Sequence, residues 1–227
     1  MALWTIGDLH LSHSTDKPMD IFGEKWKDHS RKIEISWQQN VAPEDTVVIP
    51  GDISWAISLE EIAADFAYLC RLPGRKILLK GNHDYWWETL SKMKRFLQNE
   101  GIEDILFLQN NCYLYEGVAI CGTRGWALEG ENHQKMIARE TARLEMSLKS
   151  APDNMEKIVF LHYPPVLQDL ACMPMIEVMQ KYGVKRCFYG HLHGLSIQNA
   201  VLGENFGINF SLVSADSLDF CPLNIIK

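Results

Sequence analysis

The chain has no long apolar run. Its apolar stretches are strand-length pieces, far short of the ~20 residues that span a bilayer, which argues against a membrane helix. It also shows no secretory leader. Met1–Ile6 reads as a strand and the first motif begins at Gly7, so cleaving a leader here would remove a candidate ligand. Close cysteine pairs are missing too. Cys70, Cys112, Cys121, Cys172, Cys187 and Cys221 show no CxxC spacing and mostly lie in apolar surroundings, as buried thiols in a reducing cytoplasm do. Cys112 and Cys121 flank a predicted hairpin and could face each other, but nothing demands a bond. Positive charge is not in excess: the formal net charge is −7. That weighs against a protein that coats a nucleic-acid polymer, since such affinity comes mainly from Lys and Arg. It does not exclude a small anionic substrate, because two divalent ions would outweigh the carboxylates of Asp8 and Asp52. Repeats, low-complexity runs and linkers are absent as well, so a single domain over residues 1–227, in the cytoplasm, is the expectation.

What the chain does have is alternation. Apolar, β-branched runs predict strands at Leu3–Ile6, Thr46–Pro50, Lys76–Lys80, Ile105–Leu108, Cys112–Tyr115, Val118–Cys121, Lys157–His162, Arg186–Tyr189 and Ile208–Val213. Glu116-Gly117 reads as a two-residue hairpin turn. Helical patterns fall at Glu24–Asn40, Leu59–Leu72, Trp86–Asn99, Asn132–Lys149 and Met175–Tyr182. The second is the clearest, with Ser58 and Glu61 as a capping box and Leu59, Ile62, Ala63, Phe66 and Leu69 on one face. This pattern predicts an α/β fold, and the hairpin predicts a mixed sheet or a pair of sheets.

Five short segments carry the chemistry: Gly7-Asp8-Leu9-His10, Gly51-Asp52, Gly81-Asn82-His83-Asp84, Leu161-His162-Tyr163 and Gly190-His191-Leu192-His193. Each ends an apolar run, where open α/β sheets bind ligands. Residues one apart, as in Asp8/His10 and His191/His193, point to the same side of an extended chain, so each pair can converge on one place. The set offers oxygen and nitrogen donors without cysteine. It is too large for one metal ion and suits two, which makes a two-metal hydrolase the first reading. Carboxylate and imidazole without thiolate suit Mn, Fe, Co, Ni or Zn, with Mn or Fe expected first. His13, His29 and His133 read by default as hydrogen-bonded structural residues.

The order D-x-H, G-D, G-N-H-D, H, G-H-x-H resembles the calcineurin-like metallophosphoesterase superfamily over about residues 7–193. The resemblance implies a four-layer α/β/β/α sandwich, two mixed sheets with helices outside. It also implies a ligand set. Asp8, His10, Asp52 and His193 would hold one ion, and Asp52, Asn82, His162 and His191 the other, with Asp52 bridging. The implied reaction is in-line attack of a metal-activated hydroxide on the phosphorus of a small or medium phosphoric mono- or diester. His83 would serve as general acid or hydrogen-bond donor at the leaving oxygen, with Asp84 orienting its ring.

Departures within the superfamily narrow the reading. Protein phosphatases carry Asp-Arg-Gly where this chain has Asp52-Ile53-Ser54, and they end the third motif in Glu rather than Asp84. Purple acid phosphatases place a metal-binding tyrosine where Trp55 stands. Repair nucleases append a further domain, and only a short stretch follows His193. The spelling Asp8-Leu9-His10-Leu11-Ser12 looks more like the bacterial phosphodiesterase and nucleotide-sugar-lipid pyrophosphatase branches. A nuclease and a non-catalytic metal-binding scaffold of the same fold are the rival readings. Outside the motifs, Arg124 follows a strand between glycines and could clamp a phosphate. Trp55, Trp86 and Trp87 read mainly as core, with Trp126 open. Glu131 and His133 would line the mouth of the site. Ser14–Lys27 is either a loop over the site or a solvated connection.

Overall fold

The computed structural model describes residues 1–128 and 133–226. Strands are numbered in chain order. One sheet holds β1 (Leu3–Thr5), β2 (Thr46–Pro50), β3 (Arg75–Leu79), β4 (Ile105–Phe107) and β11 (Leu223–Ile226), in the order β11-β1-β2-β3-β4. The other holds β5 (Tyr113–Tyr115), β6 (Val118–Thr123), β7 (Glu156–Leu161), β8 (Arg186–Tyr189), β9 (Gly203–Asn205) and β10 (Ile208–Leu212), in the order β5-β6-β7-β8-β10-β9. Both are mixed: parallel pairs form the centres, while β11, β5 and β9 join antiparallel at the edges. The helices are α1 (His29–Asn40), α2 (Leu59–Arg71), α3 (Leu90–Asn99), α4 (His133–Lys149) and α5 (Met173–Lys181).

Strand alternation explains the layering. In β2, Val48 packs between the sheets with Ile77, Ile120, Ile158 and Phe160, whereas Val47 and Ile49 pack outward with Ile33, Phe66 and Met93 of α1, α2 and α3. In β7, Ile158 and Phe160 face the sheet interface, while Val159 and Leu161 pack with Leu144 of α4 and Ile176 of α5. Both faces of each central strand are therefore covered, which is why these strands read as continuous apolar runs. The result is the expected α/β/β/α sandwich. Among the described residues, no helix is long and apolar enough to cross a membrane.

The differences from expectation have local causes. The predicted helix Glu24–Asn40 is interrupted by Asp28 at φ 52°, leaving a 3₁₀ turn at Glu24–Trp26 before α1. α3 begins at Leu90, capped by Thr89, because Trp86 and Trp87 lie in a turn held by Asp84. At α2 the Ser58 hydroxyl caps the Glu61 N–H, but the Glu61 carboxylate bonds Ile57 N–H instead of closing the box. The edge strands β9 and β11 and the 3₁₀ turn Gly194–Asn199 carry no strong sequence pattern. The predicted start of the fourth helix at Asn132, like Glu131, lies outside the described residues.

The two sheets meet at one end. Gly7 N–H donates to Val213 O at 2.7 Å and Ala215 N–H donates back to Gly7 O at 3.0 Å, tying the end of β1 to the end of β10. Gly190 N–H donates to His162 O at 3.1 Å, and Asp8 N–H to Gly51 O at 2.9 Å. All five motif loops gather around this seam.

Candidate metal centre

The loops that present the motif side chains are not extended. Asp8, His10, Asp52 and His191 have φ of 57°, 46°, 50° and 73°, all in the left-handed region. The expectation that Asp8/His10 and His191/His193 converge as alternate residues of an extended chain is therefore corrected. Each of the four turns back on the seam in a conformation that costs an L-residue ~1–3 kcal/mol, a cost met by the packing around it. Two glycines permit the crowding. A Cβ on Gly81 would collide with the Asp52 carboxylate and backbone, and one on Gly190 with the Asp8 carboxylate.

Two donor groups result. Asp8, His10 and His193 form one, and Asp8, Asp52 and His162 the other, with the ligand atoms of each group within 4.8 Å of one another. Asp8 thus belongs to both by position. Asp52 also faces both, with Oδ2 3.8 Å from His10 Nε2 and Oδ1 3.6 Å from His162 Nε2. Asn82 Oδ1 lies 2.6 Å from His162 Nε2. His191 falls in neither group. Its backbone N–H donates to both Asp8 oxygens, and its ring lies 5.1 Å from His162 and 4.3 Å from Tyr163.

Hydrogen bonds set the tautomers. His162 Nδ1 is 3.2 Å from Pro50 O, so the ring proton sits there and Nε2 presents a lone pair. That lone pair faces the Asn82 oxygen, acceptor against acceptor, an arrangement that a cation resolves. His193 Nδ1 lies 2.9 Å from Asp216 Oδ1, and Gly194 N–H donates to Asp216 Oδ2 at 2.9 Å. Its Nε2 is 3.3 Å from both Asp8 Oδ1 and His10 Nε2. A carboxylate behind a ligating imidazole is the usual orienting partner at metal sites. Asp216 is a residue the sequence reading missed. Its only signal was a place just past the end of β10, in an unremarked Ser-Ala-Asp-Ser run. The reading missed Trp26 as well, carried in by the Ser14–Lys27 segment. It is buried against His10 at 5.8 Å and His193 at 5.5 Å.

The charges match a cation site. Burial alone would raise the Asp8 carboxyl, but the charge and hydrogen bond of His193, with His162 and His10 behind it, hold it well below the usual carboxylate range. Burial and the neighbouring Asp8 charge push Asp52 up to about 8. Two carboxylates this close do not both ionise unless a positive charge joins them. Burial takes His162 and His191 down to about 4 and His10 well below its ordinary value. Burial opposes protonation of His193 too, yet Asp8 and Asp216 raise it to about 10. Donors of this kind fit two divalent cations, with mostly neutral imidazoles and carboxylates that a cation would keep ionised.

The remaining predicted residues lie around this core. His83 N–H donates to Asp52 Oδ1 at 2.8 Å, and its ring sits 4.4 Å from Trp55, which stacks on His10 at 5.1 Å. Trp55 is thus part of the site wall as well as the core. Asp84 departs from expectation. Its fully buried carboxylate accepts from Gly81, Ile53 and Ser54 N–H and from Trp86 Nε1–H, and among the described residues its partners do not include the His83 ring. It ties the Asp52 and Asn82 loops together instead. Arg124 accepts the His162 and Tyr163 N–H groups on its carbonyl, and its guanidinium lies 4.5 Å over the Trp126 ring. His13 bonds Asp65 through its ring and backbone, and His29 Nε2 reaches His10 O at 3.3 Å. His133 lines a cavity with Leu128 and Cys172.

The model of the family described as calcineurin-like phosphoesterase matches residues 1–195. The chain belongs to this family. Two curated phage proteins are similar to this chain: the gene 66 proteins of Mycobacterium phages L5 (33% identical over 81 residues) and D29 (36% over 83). The matched segment spans 36% of the chain and 39% and 40% of those proteins. Among solved structures, a protein of unknown function, AQ665 from Aquifex aeolicus, shares the fold at TM-score 0.55 and 18% identity, covering 98% of this chain and 95% of that one. Phosphopantetheinyl hydrolase from Mycobacterium tuberculosis does so at 0.55 and 15%, covering 94% and 88%.

Proposed function

We propose that the protein hydrolyses a phosphoric mono- or diester with two divalent ions held by Asp8, His10, Asp52, Asn82, His162, His191 and His193. The observation that carries this reading is the pair of donor groups joined through Asp8, with the two Asp52 oxygens turned toward opposite groups. Such ions supply Lewis acidity and an activated water at neutral pH; Mn or Fe is the first expectation, with Zn, Co or Ni compatible.

The chain's own residues do the rest. Asn82 adds an oxygen donor without adding negative charge beside an incoming phosphate. His83 is lowered from its ordinary value by burial first, with the positive charge of His193 adding to it, which favours the neutral ring. It therefore serves as an N–H donor to the leaving oxygen, a contribution of about 10²- to 10⁴-fold. Trp55 fixes the planes of His10 and His83. Asp84 holds the Asp52 and Asn82 loops in register, and Arg124 binds a substrate phosphate group.

The test is hydrolysis of bis-p-nitrophenyl phosphate and p-nitrophenyl phosphate by metal-stripped protein re-supplied with Mn²⁺, beside Asp52→Asn. Mn²⁺-dependent turnover lost in the variant supports the reading. Wild-type turnover that persists without added metal overturns it.

A further inference from the structure

Beside the metal centre, the end of the sheet interface opens into a second cavity of about 190 Å³. Leu79 and Leu108 form its apolar floor, and Lys80, Arg124, Arg143 and Glu140 line its wall. It shares its framework with the centre. Lys80 directly precedes Gly81-Asn82, and the Arg124 carbonyl is fixed by the N–H groups of His162 and Tyr163 at 3.1 and 2.9 Å.

The charge on this wall is unbalanced. Glu140 is fully buried and already committed: it accepts from Thr123 Oγ1 and Arg143 Nη1, both at 2.7 Å, and lies 3.5 Å from Arg139 Nε. Glu88, also on the wall, pairs with Lys92 at 3.1 Å. Among the described residues, Lys80 and Arg124 have no ion pair or side-chain hydrogen bond, and Arg124 Nε is buried without a partner. Buried donors are nearly always satisfied, so one that is not points to an acceptor still to come. The Arg124 guanidinium carbon lies 4.5 Å over the Trp126 ring, a cation–π contact that occupies none of its N–H donors. The volume is below the ~300 Å³ of pockets that enclose whole ligands, which fits one compact anionic group and not a nucleoside or sugar.

We infer that this cavity binds a second phosphate group of the substrate, through Lys80, Arg124 and the free edge of Arg143, while the scissile phosphate occupies the metal centre. The inference rests on the hydrolytic reading above and directs it to substrates with two phosphate groups, carried close together on one molecule or, by the same attack on phosphorus, joined as an anhydride. Arg124 then serves the second phosphate and not the scissile one.

Two measurements separate failure of this inference from failure of the hydrolytic reading. The first is calorimetric titration of inorganic phosphate into the full chain carrying Asp52→Asn, treated with chelator so that metals cannot hold the anion. One saturable site is expected, weakened by about 10- to 100-fold on adding Lys80→Gln, the loss of one charge-assisted hydrogen bond, and retained with Lys80→Arg. No saturable binding, or equal binding with Lys80→Gln, overturns the inference whatever the metal centre does. The second compares Mn²⁺-loaded wild type and Lys80→Gln on pyrophosphate and p-nitrophenyl phosphate. KM should rise about 10-fold more for pyrophosphate than for the monoester; an equal rise on both overturns the assignment to a second phosphate. If wild type turns over neither of these nor bis-p-nitrophenyl phosphate, the hydrolytic reading fails and the titration alone decides whether the cavity holds an anion.

Discussion

The two donor groups are built alike in donor type and differently in support. His162, in the group with Asp52, is held by a hydrogen bond from Nδ1 to Pro50 O, which turns Nε2 toward the Asn82 oxygen. Of the two histidines in the other group, His193 has such a brace among the described residues, from Asp216. His10 Nδ1 is buried without a partner among the described residues, and the ring is clamped between Trp55 and Trp26. One group is thus oriented by directional bonds, the other partly by the shape of an aromatic cage. Aromatic contact fixes a ring plane well but does not choose which nitrogen carries the proton, so the caged group should be the more adaptable.

The largest expected effect comes from removing what the groups share. Asp52→Asn should lose Mn²⁺-dependent turnover of both esters and reduce bound metal at both groups, read by metal analysis after dialysis. Loss at one group only would show that Asp8 alone links them. His83→Asn, which touches Asp52 through its backbone and belongs to neither group, should keep both metals. Its turnover on esters with poor leaving groups should fall about 10²- to 10⁴-fold; full activity there would remove its proposed role. Asp216→Asn sharpens the contrast, since it should weaken one metal by about 10- to 100-fold and leave the other in place. Equal weakening of both would mean the groups are not separately supported. The smallest effect is expected for Trp55→Leu. Losing an aromatic contact of ~0.5–1.5 kcal/mol should shift metal affinity at the His10 group by a factor of about 2–12, which a competition titration resolves.

The sequence announced what short-range pattern can announce. Most strands, the hairpin turn at Glu116-Gly117 and the motif loops followed from apolar runs that end in Asp, Asn or His. What it hid depends on distant partners or on backbone choice. Asp216 meets His193 across 23 positions in the chain, and nothing in its own neighbourhood marks it. Asp84 looks like a natural neighbour for His83, yet three backbone N–H groups and an indole compete for its oxygens and win. The left-handed turns at Asp8, His10, Asp52 and His191 were also missed, because alternate spacing was taken as extended chain although Asp and His are among the side chains that enter this region most readily. The start of α3 moved for a related reason: Trp86 and Trp87 fit a helical stripe but are drawn into the turn that Asp84 anchors.

Those four left-handed residues have a consequence for thermal behaviour. A glycine reaches the same φ without a Cβ penalty, so exchanging one of these ligands for glycine should relax the metal-free chain even as it destroys the site. For His191, whose side chain is the least enclosed of the four, the chelator-treated His191→Gly variant should melt no lower than chelator-treated wild type. Wild type should regain the lead once ions bind, since ligand at about 100 times its Kd adds ~2.7 kcal/mol to the folded state. The backbone strain at these four positions is then offset by packing in the metal-free chain and outweighed once ions bind.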